Sequence, residues 1–364
     1  MNELTHKTAV FSGVFFTLAL CMMLYLSMTK TIEISDVAQD EVSGLTGRIV
    51  DQTSQKTAGN EYTDVAEAVE TVHQLSFDED DKTDYLCIPL PEKIEADDIS
   101  IENHYMDHRL YIVVSGGEAD YYKNHSLNGN RVNIVDGTYE IDENEKLRLC
   151  LFMDGLYEYK TVLENGELYI SFYSPREMYE HIVVIDPACG GADSGDTDGN
   201  VYEKDIALKT ATYLKGLFDA DTSGIKVYYT RMDDVNPTKE ARVALANDTK
   251  ADMYIRIETD FKEDTGIYGV TSYYNGDYFI PGFGNVELSD VLETQVATAI
   301  KGKALGLMDI SREDYTLIHS TVPSTIIKVG CLSNHQEAAL LARDEYIKNI
   351  AQGIYNAVKY VYDK

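Results

Sequence analysis

Three polar or reactive side chains lie within or next to apolar runs in the second half of the sequence, and a fourth opens a predicted helix. Cys189 follows the run HIVVID, Glu258 ends DMYIRIE, and Lys328 lies within STIIKVGCL. Glu203 opens a predicted helix, where the helix dipole favours a carboxylate. A thiol and two carboxylates can bind a metal ion, and a thiol with a partnering base can act as a nucleophile. These four residues are therefore the candidate site.

The pattern around these residues predicts an α/β domain. HIVVID is a continuous apolar run, typical of a strand that is buried on both faces. IKVYYTR, DMYIRIET and STIIKVGCL predict further strands, while helical spacing is found in EKDIALKTATYLKGLFDA, PTKEARVALANDTK, LSDVLETQVATAIKGKALG and the run from His335 onward. Such alternation predicts a mostly parallel sheet flanked by helices, with functional residues at the strand ends.

The N-terminus predicts a membrane anchor. Residues 8–29 carry no charge and are strongly apolar, which is long enough to cross a hydrocarbon core of about 30 Å. We assign residues 1–30 to a short cytoplasmic arm and one transmembrane helix. The alternative is a cleaved signal peptide, although SMTKTIEIS contains no good cleavage site. With a single span after so short an arm, we expect the C-terminal domains to be extracytoplasmic.

Two further regions precede the α/β domain. Residues 31–83 are polar and acidic and indicate a linker or stalk. Residues 84–175 contain short alternating runs separated by turn dipeptides, which predicts a small antiparallel β domain. Four side chains there could line a binding face or be ordinary packing residues: Tyr121, Tyr122, His104 and His108.

Composition limits the function classes. Lys and Arg total 31 against 62 Asp and Glu, a formal charge of -31. A nucleic-acid backbone or an anionic lipid surface would be repelled, so no nucleic-acid partner is expected. The five cysteines form no pattern. Cys87 and Cys150 lie in strand-like runs and could pair if those strands are neighbours, or could be two small buried hydrophobic residues.

Residues 181–362 resemble the zinc-dependent N-acetylmuramoyl-L-alanine amidases, which cut the bond between the glycan and the stem peptide of peptidoglycan. The matching motifs are, in order, VVIDPACGGADSGD, VYEKDIAL, VYYTRMDDVNPTKEARVALAN, ADMYIRIETD and STIIKVGCLSN. The resemblance implies the amidase fold and a bacterial cell-wall location. Residues 84–175 are more loosely similar to the β-rich targeting domain that often precedes such amidases.

The site departs from the family pattern. The resemblance puts Cys189, Glu203 and Glu258 at the zinc-ligand positions, which are usually His, Glu and His, and Lys328 at the position of the catalytic Glu. A hydrolytic zinc needs about three protein ligands and a carboxylate that takes a proton from bound water. A protonated lysine cannot take that proton. We therefore expect zinc to be lost and Lys328 to pair with both carboxylates, because an unpaired buried charge is costly.

The sequence thus predicts a membrane-anchored pseudoenzyme of the cell envelope that binds peptidoglycan or an envelope protein. One alternative is an active but divergent amidase, with a Cys/Glu/Glu metal site or with His319 or His335 taking part. Another is a purely structural module of the envelope. For Cys189, the remaining alternatives are a role as catalytic nucleophile and a disulfide bond with Cys331.

Overall fold

The computed structural model describes residues 72–363 except 81, 119 and 143. The predicted anchor at residues 8–29 lies outside the described residues, as does most of the predicted linker. Among the residues that are described, no helix combines the length and apolar character needed to span a membrane. The described chain forms two compact units, residues 72–154 with Tyr159–Phe172, and Gly155–Glu158 with residues 173–363.

The first unit consists of two five-stranded sheets, ordered β1-β7-β8-β5-β4 and β2-β6-β3-β10-β9. Six of these pairs are antiparallel, namely β1–β7, β7–β8, β8–β5, β5–β4, β6–β3 and β3–β10, whereas β2 and β6 are parallel. The strands are β1 His73–Gln74, β2 Phe77–Glu79, β3 Leu86–Pro89, β4 Ile99–His104, β5 Arg109–Val114, β6 Leu127–Gly129, β7 Ile134–Ile141, β8 Leu147–Met153, β9 Glu158–Glu164 and β10 Glu167–Tyr173. The linker was predicted to extend to residue 83, but β1 and β2 lie before residue 84, so the β-rich unit begins earlier than predicted. These strands have two and three residues, too few to show alternation.

The polar side chains of this unit have structural partners. The phenol of Tyr121 donates to Leu90 O at 2.7 Å, and that of Tyr122 donates to Pro89 O at 2.8 Å. Both contacts favour packing over a binding face. Cys87 in β3 and Cys150 in β8 belong to different sheets, and both are buried free thiols.

The second unit is built on a six-stranded sheet, ordered β14-β11-β15-β18-β16-β17. Its strands are β11 His181–Pro187, β14 Ile225–Tyr229, β15 Met253–Asp260, β16 Val270–Tyr274, β17 Ala304–Asp309 and β18 Ser324–Cys331; a separate hairpin is formed by β12 Thr197–Asp198 and β13 Val201–Tyr202. The first four strands in this order are parallel, but β16 runs antiparallel to β18. The sheet is therefore mostly parallel, as predicted, with one antiparallel pair toward one edge.

Seven helices accompany this sheet within the described residues: α1 Pro175–Met178, α2 Glu203–Asp219, α3 Lys239–Asp248, α4 Asn285–Ile300, α5 Tyr315–His319, α6 His335–Leu341 and α7 Asp344–Tyr362. Apolar side chains of α2, α4 and α7 share one buried cluster with the central strands, including Leu214, Leu292 and Ile354. This packing fixes the positions of the carboxyl-terminal parts of β11, β15 and β18, which are neighbours in the sheet. The four candidate residues come from these parts of the strands, from the loop after β11, or from the start of α2.

Candidate functional site

The loop after β11 is shaped by two buried arginines. Cys189 has a φ of 61°, in the left-handed region that non-glycine residues seldom adopt. The guanidinium of Arg242 donates to Cys189 O at 2.9 Å, and that of Arg231 donates to Ala188 O at 2.7 Å. Both arginines also donate to Pro187 O. Hydrogen bonds within the protein therefore hold the unusual backbone of Cys189.

Asp186 anchors this arrangement from the end of β11. Its side chain is 0% exposed and accepts hydrogen bonds from Arg242, Thr230 and Tyr254. Burial alone would raise the pKa of Asp186, but the charges of Arg242 and Arg256 outweigh it and hold the pKa below its usual value. Asp186 is thus ionised and fully partnered in the core.

Glu203 is held by backbone amides at the start of α2. Its Oε2 accepts from the amide of Asp196 and its Oε1 from the amide of Thr259, each at 2.9 Å. Burial raises the pKa of Glu203, and the negative charge of Glu258 raises it further. Cys189 Sγ lies close to this carboxylate, because a Cβ on Gly195 would be 2.3 Å from Glu203 Oε2 and 2.8 Å from Cys189 Sγ.

Glu258 and Lys328 face each other on adjacent parallel strands. They are register partners in β15 and β18, and Lys328 Nζ lies 2.5 Å from Glu258 Oε2. The ammonium also donates to Thr259 O at 3.0 Å. Burial alone would lower the pKa of Lys328, but the carboxylates of Glu258 and Glu203 raise it above its ordinary value. Lys328 is therefore a charged ammonium inside the site.

The predicted pairing of Lys328 is half right. The ion pair with Glu258 is confirmed, but within the described chain Lys328 makes no ion pair with Glu203, which is bound by amides instead. The reason is local: strand register puts Glu258 directly opposite Lys328, whereas Glu203 projects from a helix start toward the backbone of Asp196 and Thr259.

The thiols and histidines do not complete a catalytic arrangement. Burial, and next the charge of Glu203, raise the pKa of Cys189 to about 12, so the thiol is neutral and a poor nucleophile. Cys189 and Cys331 are both free, so the disulfide between them is not formed. His335 is exposed and pairs with Asp198 at 2.8 Å, while His319 lies against its own helix, with Nδ1 2.8 Å from Tyr315 O.

Two residues at the site were missed from the sequence. Arg256 Nε lies 2.7 Å from Glu258 Oε1, within ion-pair distance although not aligned for a hydrogen bond. The ring of Tyr273 lies 5.6 Å from Lys328 Nζ, and its hydroxyl accepts from Lys262. Arg256 could have been found, because it precedes Glu258 by two residues and so shares its strand face.

Comparison with known proteins decides the family of the second unit. Residues 183–360 match the family model described as N-acetylmuramoyl-L-alanine amidase.

Residues 183–360 therefore form a domain of the N-acetylmuramoyl-L-alanine amidase type.

Relatives in the amidase family cover about half of the chain. The germination-specific N-acetylmuramoyl-L-alanine amidase of Bacillus subtilis is 27% identical over 232 residues, which are 59% of this chain and 94% of that protein. The uncharacterised protein YqiI of the same organism is 27% identical over 50% of this chain and 85% of its own length. An N-acetylmuramoyl-L-alanine amidase structure from Clostridium difficile 630 superposes with a TM-score of 0.47 at 26% identity, covering 50% of this chain and 97% of that one.

The donors at this site do not fit the zinc of an amidase. Within the described residues, no group of three His, Cys, Asp or Glu side chains has a metal-binding arrangement. A zinc ligand must offer a free lone pair, yet Glu258 is engaged by the ammonium of Lys328 and by Arg256. Cys189 would have to lose a proton that its surroundings retain. An additional cation would also stand next to the charge of Lys328.

Proposed function

We propose that this chain is a membrane-anchored, extracytoplasmic member of the amidase family that binds peptidoglycan, or a protein of the cell envelope, without hydrolysing the amide bond. One observation carries the proposal: the Lys328 ammonium lies 2.5 Å from Glu258 in the centre of the site. A protonated amine cannot serve as the base that activates water. The match of this domain to the N-acetylmuramoyl-L-alanine amidases supports the choice of a cell-wall ligand.

The loop of the site and the groups that could activate water differ in what binds them. The loop after β11 keeps its shape through Arg231 and Arg242, so a binding surface can persist. The groups that would activate water are engaged in ion pairs or held neutral. Retained shape without an available base is the combination expected of a binding protein.

The test separates binding from hydrolysis. Full-length protein in detergent is incubated with purified peptidoglycan and zinc, then sedimented, and the supernatant is analysed for stem peptides by mass spectrometry. We expect co-sedimentation without peptide release. Release that a chelator abolishes would establish the alternative, an active divergent amidase. If the protein neither co-sediments nor releases stem peptides, peptidoglycan is rejected as the ligand and an envelope protein remains.

A matched pair of variants locates the binding surface. Lys262 stands beside the site, with Nζ 2.8 Å from the hydroxyl of Tyr273, whereas Lys215 pairs with Asp219 at the far end of α2. If the site binds the wall, Lys262→Ala weakens co-sedimentation and Lys215→Ala leaves it unchanged. Equal effects would place the binding surface elsewhere on the chain.

The membrane anchor is part of the proposal and has its own test. It rests on the uncharged apolar stretch at residues 8–29. We expect the protein to remain in the membrane fraction after a high-salt wash and to be digested by protease added to cells whose wall has been removed. Recovery in the cytoplasmic fraction would contradict both the anchor and the orientation.

A further inference from the structure

The charges around the site leave one role for Lys328. Arg242 and Arg256 lie against Asp186, and Arg256 also lies 3.5 Å from Asp314 and 2.7 Å from Glu258, so two guanidinium groups face three carboxylates there. The ammonium of Lys328 is a third cation: it contacts the other oxygen of Glu258, and its charge also acts on Glu203.

The ammonium also connects the strand ends. Lys328 belongs to β18, while its two partners, Glu258 and the carbonyl of Thr259, belong to β15. The amide of the same Thr259 donates to Glu203 at the start of α2. A single cation therefore connects two strands directly and a helix through one peptide unit. A metal ion that bound the same carboxylates would connect the same elements.

We infer that Lys328 is an internal replacement for the metal ion of the amidase family, holding β15, β18 and the start of α2 together so that this unit folds and stays folded without any divalent cation. Lys328 is thus a positioning residue. The inference goes beyond the proposed function, because it concerns how the site is held together and stands whatever ligand the protein binds.

Arg256 does not make Lys328 redundant. Its guanidinium already lies within 4 Å of three carboxylates, those of Asp186, Glu258 and Asp314. One positive charge shared among three negative ones cannot offset Glu203 in addition. Without Lys328, the buried carboxylates of the cluster lose one of the positive charges that offset them, which is costly and favours binding of an external cation.

The experiment compares Lys328→Gln with Lys262→Gln in the full-length protein by thermal unfolding. Both lysines contact Tyr273 and pair with a carboxylate, but Lys262 is about twice as exposed as Lys328. We expect Lys328→Gln to lower the Tm by about 10 °C and Lys262→Gln by less than about 3 °C. The Lys328→Gln,Glu258→Gln double variant should regain much of the loss, because it removes the uncompensated charge.

The response to zinc tests whether the lysine replaces a cation. Added zinc, or a chelator, should leave the Tm of the wild type and of Lys262→Gln unchanged, and zinc should raise that of Lys328→Gln by several degrees. A zinc-dependent wild type would overturn the inference. So would equal destabilisation by the two single variants, or a destabilised Lys328→Gln that does not respond to zinc.

A second variant and a separate readout ensure that every outcome supports or contradicts the inference. If Lys328→Gln does not fold, the double variant with Glu258→Gln is used, and it must fold and remain insensitive to chelator for the inference to hold. Since unfolding is measured here and peptide release is measured for the proposed function, each proposal can fail while the other stands.

Discussion

The cluster around Asp186 and the cluster around Glu258 lie at the same end of the sheet but have different structural roles. Asp186 is fully buried, ionised and bound by Arg242, Thr230 and Tyr254, and Arg242 in turn donates to the backbone of the loop after β11. Glu258 lies nearer the surface and is engaged by Lys328, which no loop geometry requires.

This difference shows how a site can change without a change of fold. The loop that presents Cys189 is fixed by hydrogen bonds from Arg231 and Arg242 to backbone carbonyls, and these bonds are independent of the side chain at 189. The residues that would do chemistry can therefore be exchanged at little cost to folding, provided that their charges remain balanced.

The largest effect is expected in the Asp186 cluster. Arg242→Met leaves the buried carboxylate of Asp186 without its main partner and frees the carbonyl of Cys189. We expect a loss of about 4 kcal/mol in the free energy of unfolding, measured by urea denaturation. The control is Arg312→Met, since Arg312 is 89% exposed and its pair with Asp277 is 3.4 Å long. A loss of the same size in both variants would contradict the account.

A smaller effect is expected at Gly195, which lies beside Glu203 and Cys189. Gly195 and Gly199 have nearly equal positive φ values, 62° and 59°, but only at Gly195 would a Cβ collide with Glu203 and Cys189. We expect Gly195→Ala to cost about 3 kcal/mol and Gly199→Ala about 1 kcal/mol, the cost of the backbone conformation alone. Indistinguishable values from chemical denaturation would mean that Glu203 is free to move aside.

The smallest effect is a pH dependence at the rim of the site. Asp198 raises the pKa of the exposed His335 above its ordinary value of 6.5. The pair therefore contributes its stability below pH 6.5 and loses it as the pH rises through the raised value in the folded state. We expect the Tm of the wild type to fall by about 1 °C relative to His335→Gln across this range, and 1 M salt to abolish the difference. A rise in the Tm of the wild type relative to His335→Gln would show that the pair does not form.

The sequence predicted the α/β unit and the four site residues because both depend on local patterns: continuous apolar runs, helical spacing and polar residues at strand ends. It missed β17, whose residues ALGLMD show no alternation and lie half-exposed at the sheet edge. It also missed β16, Val270–Tyr274, and its antiparallel direction relative to β18 is encoded by no local pattern.

The partners of the site residues were predictable only in part. The pairing of Glu258 with Lys328 follows from strand neighbours whose polar residues fall at matching positions. The binding of Glu203 by the amides of Asp196 and Thr259 does not, because it depends on backbone turns that bring distant segments together. Local patterns thus identified the four residues, but the contacts that each of them makes depend on tertiary geometry.

The metal content of the purified protein tests the central claim most directly. Full-length protein prepared with added zinc, then dialysed, is analysed by inductively coupled plasma mass spectrometry beside Glu203→Gln and Glu258→Gln. The account predicts far less than one zinc per chain in all three proteins, because Lys328 supplies the positive charge of the site. One zinc per wild-type chain, lost in either variant, would contradict it.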